Sequence, residues 1–413
     1  MKETKFKNTE IGRIPDDWEV RTINSFCSVK TGPFGSMLHA EDYVAKGTPI
    51  VTTEHFKNGI LPLVGKDIPQ VGIEDLKRMS SYTLTKDDIV FSRVGSVDIN
   101  ALVTVRQKGW LFSGRVLRVR PFKQTDSLYL HYGLLKHSVR SDIVSRAVGL
   151  TMASINTKIL GETELSLPPL NEQHSIASAL TSIDNLISSL GKLIEKKKNI
   201  KQGAMQQLLT GKIRLKEFTE PWVYRKISEI ATTSSGGTPS RSIPNYYYGD
   251  IKWFTTTELK DNYLYDSVEH ITREALNNSS AKMFSANTIL MAMYGATIGK
   301  LGVLKEPSTT NQACCAIKCN DIVEIFLFYI LLYNRKSIIE NGCGAGQPNI
   351  SQAIVNELSF LVPPCEKEQQ AIANILSKMD NEITALEAKR AKYEAIKQGM
   401  MQQLLTGKIR LIS

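Results

Sequence analysis

The chain of 413 residues lacks any run of eighteen apolar residues, the least a membrane-crossing helix needs. Its opening, MKETKFKNTE, is polar and has no apolar stretch of the exporting kind, so a cytoplasmic protein is expected. The six cysteines (Cys27, Cys314, Cys315, Cys319, Cys343 and Cys365) show no C-x2-C pairs. That excludes the usual zinc spacing and gives no sign of an oxidising compartment; buried free thiols are expected. The six histidines sit apart, without H-E-x-x-H or a Cys-His-Asp arrangement. GATIGKL at Gly295 has three residues between its glycines where a phosphate loop needs four, and Leu301 follows the lysine. GCGAG at Gly342 lacks G-x-G-x-x-G spacing, and LPPL and VPPC lack the flanking polar and aromatic residues of an amino-methyltransferase motif. A metal nuclease would have only Asp250 and Lys252 of the tripeptide DIK to build on. No catalytic constellation survives.

What is present is a globular composition, 42% hydrophobic and 22% charged, with a net charge of +10 that favours a polyanionic partner. The charge is uneven. From Arg93 to Lys123 there are seven basic residues and one acid, Asp98. Within that stretch GRVLRVRPF alternates Arg118 and Arg120 with Leu117 and Val119, which puts both guanidiniums on one face of a strand.

The chain is also written twice. QGAMQQLLTGKIRL at Gln202 and QGMMQQLLTGKIRL at Gln398 match at thirteen of fourteen positions, at an offset of 196. Upstream, LPPLNEQHSIASALTSIDNLI parallels VPPCEKEQQAIANILSKMDNEI, INTKILGETELSLPP parallels ISQAIVNELSFLVPP, and DIVFSRVGS parallels TILMAMYGA. WEVRTI at Trp18 and WVYRKI at Trp222 open the two copies. A period this long excludes a solenoid and means a duplicated domain plus a duplicated helix. The expected segments are residues 1–169, a helical region 170–215, residues 216–364, and a second helical region 365–413.

Steps of four and three from Ile176 give Ile176, Leu180, Ile183, Ile187, Leu190, Ile194, Lys197, Lys201, Ala204 and Leu208, eight of ten apolar. The second copy, Ile372 to Leu404, also gives eight of ten, with Arg390 and Lys397 as its breaks. A sustained 3.5-residue repeat predicts a coiled coil, entered after the double prolines and ended at Thr210-Gly211 and Thr406-Gly407. An antiparallel pairing about a pseudo-twofold axis is expected, with one globular unit at each end. Short alternating runs such as DIVFSRV and GRVLRVR predict α/β or α+β units with mixed strands.

This layout resembles the DNA-specificity subunit of type I restriction–modification systems, on the paired QQLLTGKIRL segments, the LPPLNEQ and PPCEKEQQ lead-ins, and SSGGTPSRS and GAGQPNIS in the second unit. The first unit departs from these phrases, with TGPFGS and GLTMASIN in their places. The resemblance spans essentially the whole chain. It implies that each globular unit is a target recognition domain reading one half of a bipartite site on double-stranded DNA. It implies that the helices are the family's conserved regions, where methyltransferase subunits dock, and that motor-nuclease subunits join the complex. S-adenosylmethionine, ATP and Mg²⁺ would then belong to those partners.

Contacts to phosphates and base edges call for Lys, Arg, small hydroxyls, amides and aromatics. In the first unit the candidates are Lys30, Ser36, Thr53, His55, Arg93, Thr151, Ser154, Asn156 and Lys158. In the second they are Ser240, Arg241, Tyr246, Thr256, Glu258, Tyr294, Lys300, Gln347 and Asn349. NYYYGD can equally be an aromatic turn packed on its own domain. The competing reading of the whole is a basic coiled-coil scaffold that bridges proteins and touches DNA weakly.

Overall fold

The computed structural model describes residues 4–33, 37–65, 67–149, 151–342 and 349–412. Two compact units divide the chain: Met1–Gly191 together with Ala388–Ser413, and Lys192–Glu387. These cut across the four segments expected from the sequence, because the division falls inside both long helices. The central helix spans Leu170–Leu208 and the terminal helix Glu366–Leu404, 39 residues each. Each unit therefore holds the first half of one helix and the second half of the other.

Both helices stop where the TG pairs predict. Gly211 and Gly407 take φ of +69° and +66°, a conformation open to glycine. The preceding threonine hydroxyls donate at 2.6 Å to the carbonyls of Gln206 and Gln402. Part of the predicted seam is buried, Ile176, Leu180, Ile183, Leu190 and Ile194 on the central helix and Ile372, Leu376 and Ile383 on the terminal one, while Ile187, Met379 and Leu386 are half-buried. Lys197 and Lys201, breaks in the apolar pattern, are not idle gaps. In the second unit Lys201 grips Asp380 at 2.5 and 2.7 Å, and Lys197 meets Glu382 at 2.6 Å. In the first unit Lys397 meets Asp184 at 2.7 Å. Within each unit the half-helices thus run antiparallel. Tyr132 and Tyr329 complete the parallel, each donating its hydroxyl at 2.7 Å to Asp184 and Asp380 respectively.

The first unit is built on four antiparallel strands in the order Cys27–Thr31, Val116–Pro121, Ile89–Ser92, Asn100–Leu102. One face carries Ile89, Phe91, Leu117 and Val119, packed with Leu130, Ile176, Leu180 and Leu404 from helices. The other carries Val90, Ala101 and Val116, packed with Phe112 and Trp110. The second unit has five strands in the order Ala231–Ser235, Cys314–Cys319, Ile289–Ala292, Leu301–Leu304, Asn262–Leu264, the last pair parallel. A second, mixed sheet accompanies each, of four short strands in the first unit and three in the second. These are the mixed α/β units that the alternating runs predict.

One long element escapes the sequence pattern. The 19-residue helix Glu324–Gly342 reads EIFLFYILLY at its start, apolar all round, because Phe326 to Leu331 are all buried; a helix buried on every side has no amphipathic period to detect. Cys27, Cys314 and Cys315 are buried free thiols and Cys319 and Cys365 are partly buried ones, while Cys343 lies outside the described residues. No helix among the described residues is long and apolar enough to cross a membrane.

The repeated phrase has a structural use in each unit. Arg410 reaches back to Glu172 at the start of the central helix, at 2.7 and 2.8 Å, and also forks onto Asp17. Glu172 is buried, and its second partner is the Trp18 indole at 3.0 Å. The second unit repeats this: Arg214 meets buried Glu368 at 2.7 and 2.8 Å, and the Trp222 indole donates to the same carboxylate at 3.3 Å. Next along, Gln173 and Gln369 accept from the amides of Asp126 and Val323 and donate to the carbonyls of Pro168 and Pro363. Each unit is clasped by the head of one helix and the tail segment beyond the other, so TGKIRL is needed twice.

Candidate nucleic-acid interface

The loops singled out in the sequence meet at duplicated backbone positions. In the first unit Ile155 N–H donates to Arg93 O at 2.9 Å and Val94 bridges Ser154; in the second Ile350 N–H donates to Met293 O at 2.7 Å and Tyr294 bridges Asn349. Gly95 and Gly295 follow with φ of +85° and +77°, facing open space. On this common frame the second unit presents Tyr294 and Asn349, both exposed. The first presents exposed Thr151 and half-buried Ser154, whose hydroxyl also reaches Val148 O at 3.2 Å.

Other candidates are committed to holding the turns. Arg93 spans from Ile155 O to Gly114 O, at 3.2 and 2.8 Å. Asn156 caps the helix Thr157–Gly161 through Ile159 N–H at 2.9 Å, and Lys158 on that helix stays exposed. Thr53 and Thr256 open equivalent 3₁₀ turns closed by capping boxes. In the first, His55 Nδ1 accepts from Thr52 N–H at 3.0 Å. In the second, Glu258 accepts from Thr255 N–H at 2.7 Å and from Val268 N–H at 2.8 Å. Burial lowers the proton affinity of His55, which suits a ring nitrogen that must accept. Lys300 is 3.1 Å from Asp261, which Arg335 also grips.

Two basic candidates sit on aromatic rings. Lys30 donates to Ser81 O at 3.1 Å and lies 4.2 Å over Tyr82. Arg241 stacks 4.1 Å over Tyr247 and 5.2 Å from Trp253, with its fork on Glu269 at 2.5 and 2.8 Å. That hydrogen bonding raises the proton affinity of Arg241 and lowers that of Glu269. Ser240 pairs with Ser242 at 2.7 Å. Ser36 and Gln347 lie outside the described residues.

Tyr246 belongs mainly to the core. It is 7% exposed and its ring packs with Trp253 and Ile271, as the aromatic-turn reading of NYYYGD expects. The exposed ring of NYYYGD is Tyr248, at 80%. Nothing in three successive tyrosines marks which one faces out. Ile60, Leu63 and Val64, an exposed apolar patch on the first unit, also carry no polar signal that would single them out.

Two units alike in frame and unlike in the side chains their loops present define a duplicated recognition protein. The family profile of the type I restriction modification DNA specificity domain matches residues 15–202 and again 219–398, and the chain belongs to this family. The chain is 29% identical to the type I restriction enzyme MjaVIII specificity subunit of Methanocaldococcus jannaschii, over 99% of this chain and 97% of that one. To the EcoR124I/EcoR124II specificity subunit of Escherichia coli it is 28% identical, over 41% of this chain and 46% of that one. Its fold is similar to the crystal structure of the S subunit from M. genitalium, with TM-score 0.61 and 18% identity, over 94% and 96% of the two chains. The chain is thus a DNA specificity subunit, the non-catalytic member of a type I restriction enzyme, with DNA and the restriction–modification complex as its partners.

Proposed function

We propose that each unit reads one half of a bipartite DNA site and that the long helices set the spacing and carry the docking faces for methyltransferase subunits. The observation that carries this reading is duplication with altered contacts. Equivalent hydrogen bonds hold equivalent turns, while His55 is replaced by Glu258, and Val94 and Ser154 by Tyr294 and Asn349. That is the pattern of one scaffold reading two different half-sites. Docking is supported by Leu186 in the first unit and Leu193 and Ile200 in the second, spaced seven apart on the central helix and each more than a third exposed.

Motor-nuclease subunits complete the complex, and a cytoplasmic location goes with its DNA partner. S-adenosylmethionine, ATP and Mg²⁺ are assigned to the partner subunits.

The test exchanges residues 222–364 for the equivalent segment of a relative and maps methylated adenines in cells that supply the partner subunits. One half-site should change and the other should persist. Change in both halves would show that the units are not independent readers. Loss of all sequence preference with binding retained would favour the bridging scaffold.

A further inference from the structure

The first unit carries a pair of cations on facing strands; at the equivalent place in the second unit the strands carry none, and Lys282 from outside them donates to Ser234 at 3.0 Å. Lys30 and Arg118 are register partners on Cys27–Thr31 and Val116–Pro121, so their side chains leave the sheet on the same face, and Arg120 lies two residues further along it. Beneath them Tyr82 and Phe112 form an edge-to-face pair at 6.0 Å, with Arg118 5.8 Å from the Phe112 ring centre. Arg120 is neutralised, forking onto buried Asp88 at 2.6 and 2.7 Å. Lys30 has a carbonyl and a ring but, among the described residues, no acid. Arg118 is 7% exposed, and its buried Nε has no hydrogen-bond partner. An arginine does not shed its proton; the acid near Arg118, Asp88, gives its hydrogen bonds to Arg120, and a buried charge so incompletely paired is unfavourable.

The second unit serves as an internal control. Its strands Ala231–Ser235 and Cys314–Cys319 pair in the same register, with Ser234 opposite Ala316. Ala316 stands opposite Leu290 as Arg118 stands opposite Val90. The same two sheet positions therefore hold a serine and a buried alanine, and the sheet still forms. The scaffold does not require the two cations.

We propose that Lys30 and Arg118 form an anion site for one phosphodiester of the DNA backbone, belonging to the first unit's half-site alone. This rests on the reading of the unit as DNA-binding. A phosphodiester offers two equivalent oxygens, which a guanidinium can fork while an ammonium adds a point charge. A guanidinium exposed to only 7% meets what protrudes from a duplex, its phosphates, and cannot follow base edges into a groove. The site also lies at the foot of the Gly32 turn, whose amide is fixed to Val116 O at 3.1 Å and whose Cα faces Ser113 O too closely for any side chain.

The test compares Arg118→Met and Lys30→Met with the unaltered chain, in complex with its partner subunits. The readout is affinity for the cognate and a random duplex across a salt series. Loss of one phosphate contact should lower the slope of log K against log salt by about 0.9 and weaken both duplexes about ten- to hundred-fold. Full-chain melting with and without inorganic phosphate at matched ionic strength gives a second readout. Arg118→Met should melt higher than the unaltered chain without phosphate and lose its phosphate-dependent gain. An unchanged salt slope with intact DNA binding overturns the site and leaves the DNA reading standing. So does a variant that melts lower and keeps the phosphate gain, since Arg118 is then structural. A phosphate gain that depends on Arg118 in a complex that binds no DNA supports an anion site and overturns the DNA reading.

Discussion

Arg410→Met removes the cation that buried Glu172 faces in the first unit and keeps most of the side-chain volume. Stripping one partner from a buried ion pair costs about 3–5 kcal/mol, because the remaining charge stays desolvated. Glu172 retains the Trp18 indole at 3.0 Å and the Leu411 amide at 3.3 Å, which places the expected loss near the lower end, about 3 kcal/mol. For a unit of roughly 200 residues that lowers the melting temperature by about 6–12 °C. Calorimetry would measure the loss, and hydrogen exchange would locate it in Met1–Gly191 and Ala388–Ser413. Arg214→Met should produce the matching loss in Lys192–Glu387. A loss under about 1 kcal/mol would refute the clasp as a buried-charge device.

Acid should weaken the first unit. Burial, reinforced by Lys397, pushes His131 from 6.5 down to about 4, so it is neutral in the fold, with Nδ1–H paired to Asn100 Oδ1 at 2.6 Å. Its unfolded form binds the proton first, so stability falls as the pH drops from about 6.5 towards 4, by up to about 3 kcal/mol; His131→Gln should flatten that slope, and an unaltered slope would sink the assignment. Glu269→Gln should release Arg241 from its internal partner and raise affinity for random duplex a few-fold, most at low salt. No change there would mean that the guanidinium does not face the duplex.

The long helices, their seam and their glycine stops were legible because each rests on local periodicity or a local cap. The duplication pointed to two units. The unit boundary was not legible, because it depends on pairings such as Glu172 with Arg410, whose partners lie far apart in sequence. Lys197 and Lys201 read as defects in an apolar row, and only the opposite helix shows that Glu382 and Asp380 answer them. The candidate site was harder for a chemical reason. Polar residues in turns suit backbone capping as well as ligand contact, and Asn156, His55 and Glu258 serve the first purpose here. Alternation put Arg118 and Arg120 on one face correctly, but could not show that Asp88 gives its hydrogen bonds to Arg120.

The central claim, two readers held apart by paired helices, is tested most directly by lengthening both helices together. A heptad inserted after Gly191 and another after Glu387 preserves the seam and leaves the pairs of Lys201 with Asp380 and Lys397 with Asp184 within their units. Seven residues add about 10 Å of helix, equal to about three base pairs at 3.4 Å each. The measurement is a genome-wide map of methylated adenines in cells carrying the lengthened chain and its partners. Two unchanged half-sites separated by a gap longer by about three base pairs is the predicted result. An active variant with altered half-sites, or with the original gap, would contradict it.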